Sequence, residues 1–173
     1  KNLAGSPEHR EVLERMRKAQ REHLTRIRDV CFLPEGELHS RSAGSSPFEL
    51  GLDDGKYPRP QIVAAAELAS NLSPAALPDL EKLLKDGDSA IRYWAALGFL
   101  MRGKDAVLGN KVGLREALGD ESPYVRIVAA QSLGQFGSDD ARTAALKTLG
   151  ELAPAKEKGV LVSMSALAAS PPP

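Results

Sequence analysis

Apolar residues recur at helical spacing over residues 6–28, lose that period over 30–60, and resume it from 61 onward. In the first stretch Val12, Leu13, Met16, Ala19, His23, Leu24 and Ile27 trace one stripe, which predicts an amphipathic helix. Ser6 is a favourable N-cap, Pro7 suits the first helical position, and Glu8 sits where the helix dipole favours an acid. Such a stripe needs a partner surface, and self-association is one way to cover it.

Residues 30–60 change character. Pro34-Glu35-Gly36, Ser40 to Pro47 and Leu52 to Pro60 are rich in Gly, Pro, Ser and Asp, and neither a helical nor a strand period survives. Yet Phe32, Leu33, Leu38, Phe48, Leu50, Leu52 and Tyr57 punctuate the stretch. A disordered linker has no use for such anchors, so the expectation is an extended, irregular arm laid over a surface. Within it His39, beside Glu37, Ser40 and Arg41, is the histidine singled out for function. Phe48 and Tyr57 are the expected aromatic anchors for contact with another surface.

From residue 61 the pattern is helical throughout. Pro60 opens a helix to about Asn71, and Ser73-Pro74 starts a second to about Lys85. Ser89 to Met101 is followed by a partner running to Leu118, weakened by Gly109 and Gly113. Pro123 to Gly137 is followed by a partner carrying Ala145, Leu146, Leu149 and Leu152 inward. Lys158 to Ala168 reads as a last helix without a partner, and Pro171-Pro172-Pro173 ends regular structure.

Two of these units match each other. Ile91-Arg92-Tyr93-Trp94-Ala95-Ala96 recurs 34 positions later as Val125-Arg126-Ile127-Val128-Ala129-Ala130. Leu80 maps to Leu114, Leu84 to Leu118, Asp86 to Asp120 and Gly103 to Gly137 at the same offset. A fixed period of this size is the signature of stacked helix pairs, none of which buries its apolar face alone. The acids Asp86 and Asp120 precede the basic residues Arg92 and Arg126, so stacking brings opposite charges together along the turn edge. The paired alanines let neighbouring first helices approach closely. This combination resembles the HEAT-repeat family, with its apolar-Arg-x-x-Ala-Ala first helix and turn aspartate. The resemblance covers roughly 61–169. Residues 62–69 match loosely, and the last unit lacks both the Asp and the Arg.

Charge narrows the function classes. Lysine plus arginine and aspartate plus glutamate balance at 23 each, so the overall positive field of a nucleic-acid binder is missing. Lys82, Lys85, Lys111, Arg115, Arg142 and Lys147 on the second helices are offset by Asp79, Glu81, Asp86 and Glu116. No stretch reaches the roughly 18 apolar residues of a membrane span. His9, His23 and His39 form no metal-binding spacing, and the lone Cys31 has no local base, so the expectation for it is a small buried hydrophobe. Neither catalysis nor a cofactor is expected of this chain.

The N-terminal side carries a second resemblance. Lys1-Asn2-Leu3-Ala4, then Pro7 and a helix, is similar to the end of the sulfatase fold, where a DP-x-E-x-x-NLA segment leads into a final amphipathic helix. Phe32-Leu33-Pro34-Glu35, Ser46-Pro47-Phe48-Glu49 and Lys56-Tyr57-Pro58 before an alanine-rich helix look like bacterial sulfatases with a helical-repeat extension. The resemblance implies a C-terminal piece of such a hydrolase, with formylglycine and calcium confined to a parent catalytic domain. It also implies a periplasmic or secreted setting. The family's C/S-x-P-S/A-R segment is not matched by Cys31-Phe32-Leu33-Pro34-Glu35, nor by Ser45-Ser46-Pro47-Phe48-Glu49, so no catalytic or metal residue is carried over.

The expected architecture is all-α, a short HEAT-like α-solenoid over 61–170 preceded by an amphipathic helix over 1–29 and an arm over 30–60. The expected function is packing, association or control of substrate access beside a sulfatase-like domain, with a stand-alone protein-interaction scaffold as the alternative. The expected partner is protein, either the chain's own catalytic domain or another, and neither nucleic acid nor membrane.

Overall fold

The computed structural model describes residues 2–170, and within them every regular element is a helix. Lys1 and the Pro171-Pro172-Pro173 end lie outside the described residues. After a 3-10 turn at Pro7–His9 the helices are α1 (Arg10–Ile27), α2 (Glu35–Arg41), α3 (Pro47–Leu50) and α4 (Arg59–Ser70). A second 3-10 turn at Pro74–Ala76 precedes α5 (Leu77–Leu83), α6 (Ser89–Arg102), α7 (Lys104–Gly109) and α8 (Lys111–Ala117). Then follow α9 (Pro123–Phe136), α10 (Asp139–Leu152), α11 (Ala155–Lys158) and α12 (Val160–Ala169).

From α4 onward the helices stack as a solenoid. The first helices α4, α6, α9 and α12 pack side by side, and each second helix rests on its own first helix and on the next one. Thus α5 lies on α4 and α6, α7 lies on α6 and α9 with α8 continuing along α9, and α10 lies on α9 and α12. The equivalent residues Leu80 and Leu114 are both fully buried, as are Ala95, Ala96, Ala129 and Ala130. Each buried leucine contributes roughly 1.5–3 kcal/mol, while the alanines set the close spacing of the first helices. Gly98 takes this spacing to its limit, since a Cβ there would lie 2.9 Å from Leu80 Cδ1 and 3.3 Å from Ala69 Cα.

Helix boundaries differ from the sequence expectation at four places. Helix α1 begins at Arg10, not Pro7, because Ser6 Oγ meets the His9 ring at 3.2 Å and caps no backbone N–H. The predicted 30–60 arm is not irregular, since it contains α2 and α3. The second of these carries a capping box, with Ser46 Oγ accepting from Glu49 N at 3.2 Å and Glu49 Oε2 accepting from Ser46 N at 2.8 Å. The partner helix of α6 is broken in two, where Asn110 caps α8 by accepting from Gly113 N at 3.2 Å. Finally, Gly159 at φ +84 separates α11 from α12, so the last helix starts at Val160. Among the described residues α12 has no second helix, but it takes the place of a fourth first helix against α9 and α10.

The arm closes the front of the array. Leu33, Leu50 and Tyr57 are buried with Ile62 and Ala65 of α4 and Ala90 and Ile91 of α6 in a second small core. The Tyr57 hydroxyl donates to Asp29 O at 2.9 Å, and Trp94 Nε1 donates to Phe32 O at 2.8 Å. A solenoid needs such a terminal cover, since its first unit otherwise leaves an apolar face in water.

Candidate interaction surfaces

The turn edge of the solenoid carries a ladder of arginines. Arg92 donates to Asp120 of the next unit through Nε at 2.7 Å and through a terminal nitrogen at 2.8 Å. Its other terminal nitrogen caps Asp86 O at 2.9 Å. The hydrogen bonds from Arg92 to Asp120 hold its guanidinium firmly in the charged form. The Asp86 carboxylate does not join the ladder, because it accepts from Asp88 N at 2.8 Å and shapes its own turn. One unit later Arg126 donates to Leu118 O at 3.0 Å and pairs with Glu151 at 3.0 Å. In the unit preceding α6 the position that maps to Arg92 is Pro58, and the arm supplies the base instead. Arg41 grips Asp88 through two bonds of 2.8 Å while also donating to Glu37.

Two further groups tie the units together without being repeated. Arg102 donates to Leu68 O, Ala69 O and Ser73 O at 3.0, 2.8 and 3.2 Å, which caps the C-terminal end of α4. Glu37 is buried among Arg41 and Ser89, and its second oxygen has no hydrogen-bond partner.

Two apolar faces remain uncovered. On α1 no residue is buried, and Val12, Met16 and Ile27 are 41, 65 and 53 % exposed. One exposed ion pair, Arg21 with Glu67 at 2.5 Å, ties α1 to α4. The helix ends at Arg28 in the left-handed conformation, φ +56, a conformation more often filled by glycine. On α12, Val160, Met164 and Leu167 fall on one face at helical spacing and are largely exposed. Between them, the second helices enclose a groove of about 320 Å³ bounded by Val107, Leu108, Val112, Leu133 and Ala141, with Lys111 and Arg115 on its rim.

A HEAT-repeat family model matches residues 113–140. The match begins in α8, takes in all of α9 and ends at the start of α10. No curated protein and no solved structure matches the chain. The matched stretch identifies a HEAT-like helical repeat, a unit of protein-interaction type. Among the described residues, no helix is long and apolar enough to cross a membrane.

The structure places the predicted residues partly in the arm and partly on the repeats. Phe48 stands 74 % exposed on α3. Tyr57 is 1 % exposed, so it anchors the arm from inside and offers nothing to another surface. Burial pushes its hydroxyl pKa up. His39 is exposed on α2, 3.9 Å from Glu35. The bases of the second helices are met by acids, as in Lys82 with Asp79, Lys85 with Glu116, Arg115 with Asp140 and Arg142 with Asp139. Cys31 is exposed and not the buried hydrophobe expected, and the neighbouring Asp29 raises its thiol pKa, which makes it a poor nucleophile. Sequence reasoning passed over Arg41 and Arg102. The first sits in the arm, where no repeat marks it, and the second maps to Phe136 at the 34-residue offset.

Proposed function

We propose that this chain is the non-catalytic HEAT-like module of a sulfatase-like hydrolase, and that α1 docks it on the preceding domain. The observation that carries the reading is the bare stripe of α1. A helix of 18 residues with no buried side chain, tied to the repeats by one exposed ion pair, gains little from this chain alone. Its apolar face is the kind that a neighbouring domain covers. The Asn2-Leu3-Ala4 segment before it and the motifs of residues 32–58 support a sulfatase-like neighbour, since both resemble the end of that fold. The module then packs on that domain, and the arm connects the docking helix to the repeats.

Intact mass and N-terminal sequence of the protein isolated from its source test this. A larger species with a DP-x-E segment shortly before Lys1 supports the reading. A native product that starts at or near Lys1 overturns it and leaves a stand-alone scaffold of HEAT type.

A further inference from the structure

Helix α2 touches three successive first helices at once. At one end Arg41 holds Asp88 through two bonds of 2.8 Å and donates to Ser89 at 3.0 Å, both at the start of α6. At the other end Gly36 lies so close to α9 that a Cβ there would sit 1.6 Å from the Tyr124 hydroxyl oxygen. The same Cβ would lie 3.3 Å from Leu161 Cβ of α12. The Tyr124 hydroxyl accordingly has its pKa raised, first by burial and then by the nearby charges of Glu37 and Glu35. Glu37, midway along α2, is buried and points one oxygen at Arg41.

In a repeat array each unit contacts only its neighbours, and curvature arises from small rotations between them. A bridge across three units adds a coupling that such an array lacks. We propose that α2 is a strap that fixes the spacing of α6, α9 and α12, so that seating or releasing it sets the curvature of the array. The two anchors differ in kind. The α6 anchor is a charge pair, while the α9 and α12 anchor is the backbone of α2 at Gly36 packed against the side chains of Tyr124 and Leu161, with no room for a Cβ as they stand. Release at the second anchor leaves α12 held by α9 and α10 without the strap, which stays attached to α6.

The test uses the full chain with Cys31→Ser and spin labels at Ser70→Cys and Ala168→Cys, both exposed positions on α4 and α12. Gly36→Val breaks the packing anchor and Arg41→Met breaks the charge anchor. Either change is expected to broaden and shift the interlabel distance distribution. Amide exchange in α12 is expected to rise by about tenfold or more while α8 keeps its protection. An unchanged distribution and unchanged α12 exchange in either folded variant overturn the proposal. Global unfolding of both variants overturns it as well, because α2 is then a part of the core that cannot be released.

Discussion

Arg92 and Asp120 lie 28 positions apart in sequence and face each other across two units with the fork of the guanidinium matched to the carboxylate, at 2.7 and 2.8 Å. Both side chains are nearly buried, at 9 and 10 % exposure. Two desolvated charges are stable only as a pair, and each has further bonds, Arg92 to Asp86 O and Asp120 from Ser122 N. Removing one partner leaves the other charge without its counterion. Arg92→Met is therefore expected to destabilise the chain by about 2–4 kcal/mol, read from urea midpoints. Arg92→Met with Asp120→Asn together is expected to cost less than the two single changes summed. Strict additivity would show that the pair is not coupled.

Asp88 gives the chain an acid-sensitive joint. Burial raises its pKa, but the hydrogen bonds and charge of Arg41 outweigh burial and hold it below the usual carboxylate range. The folded chain therefore takes up this proton at lower pH than the unfolded chain does. The associated stability is complete above the unfolded value of about 3.9 and is lost as pH falls through the lower folded value. Asp88→Asn is expected to flatten this acid limb, measured by urea midpoints from roughly pH 6 down to pH 2. An equally steep limb in the variant would remove Asp88 as its source.

Two glycines within helices are expected to respond in opposite directions. Gly98→Val would press its side chain into Leu80 and the backbone of Ala69, costing about 1–3 kcal/mol by overpacking. A Cβ at Gly150 meets nothing within 4 Å, so Gly150→Ala is expected to stabilise α10 by about 0.5–1 kcal/mol. Thermal melts of both variants decide this, and a fall in melting temperature for Gly150→Ala would contradict it.

Arg102→Met takes away the donors that cap α4 while keeping the apolar stem. About 1–3 kcal/mol of stability is expected to go with them. Hydrogen exchange is expected to accelerate first at the C-terminal turn of α4. Uniform acceleration along the whole solenoid would mean that Arg102 matters to global packing and not to that cap.

On α1 the expectation is the reverse. Met16→Asp removes an exposed side chain that touches no core, so the melting temperature of the isolated chain is expected to stay within the effect of about 0.5 kcal/mol typical of surface sites. A large drop would show that the stripe is covered in solution, and sedimentation would then tell whether a second copy covers it.

The solenoid was readable because its period repeats burial as well as residue type. Leu80 and Leu114, or Ala96 and Ala130, are alike in sequence and equally buried. The ladder was half readable. Turn acids and arginines were visible, but the bond runs from Arg92 to the acid of the following unit, and Asp86 serves its own turn. The arm resisted reading for a plain reason. Helices of seven and four residues are too short to display a period, and Ser46 with Glu49 was the one capping signal available. Tyr57 looked like a contact residue because aromatic side chains in loops serve outward and inward roles with the same composition around them. Gly36 carried no signal at all, since nothing local marks a glycine whose clash is with Tyr124, far along the chain.

The direction of the arginine ladder imposes a grammar on the chain. The α6 unit offers Arg92 toward its successor, whose leading turn answers with Asp120, so the units are not interchangeable beads. A segment spliced between α8 and α9 keeps both Arg92 and Asp120 matched only if it enters in phase and carries an acid in its leading turn and an arginine in its first helix. An insert cut at any other phase, or reversed in order, strands Arg92 against a carbonyl or a like charge. Lengthening this array, by duplication or by design, is thus a matter of preserving a reading frame written in charge.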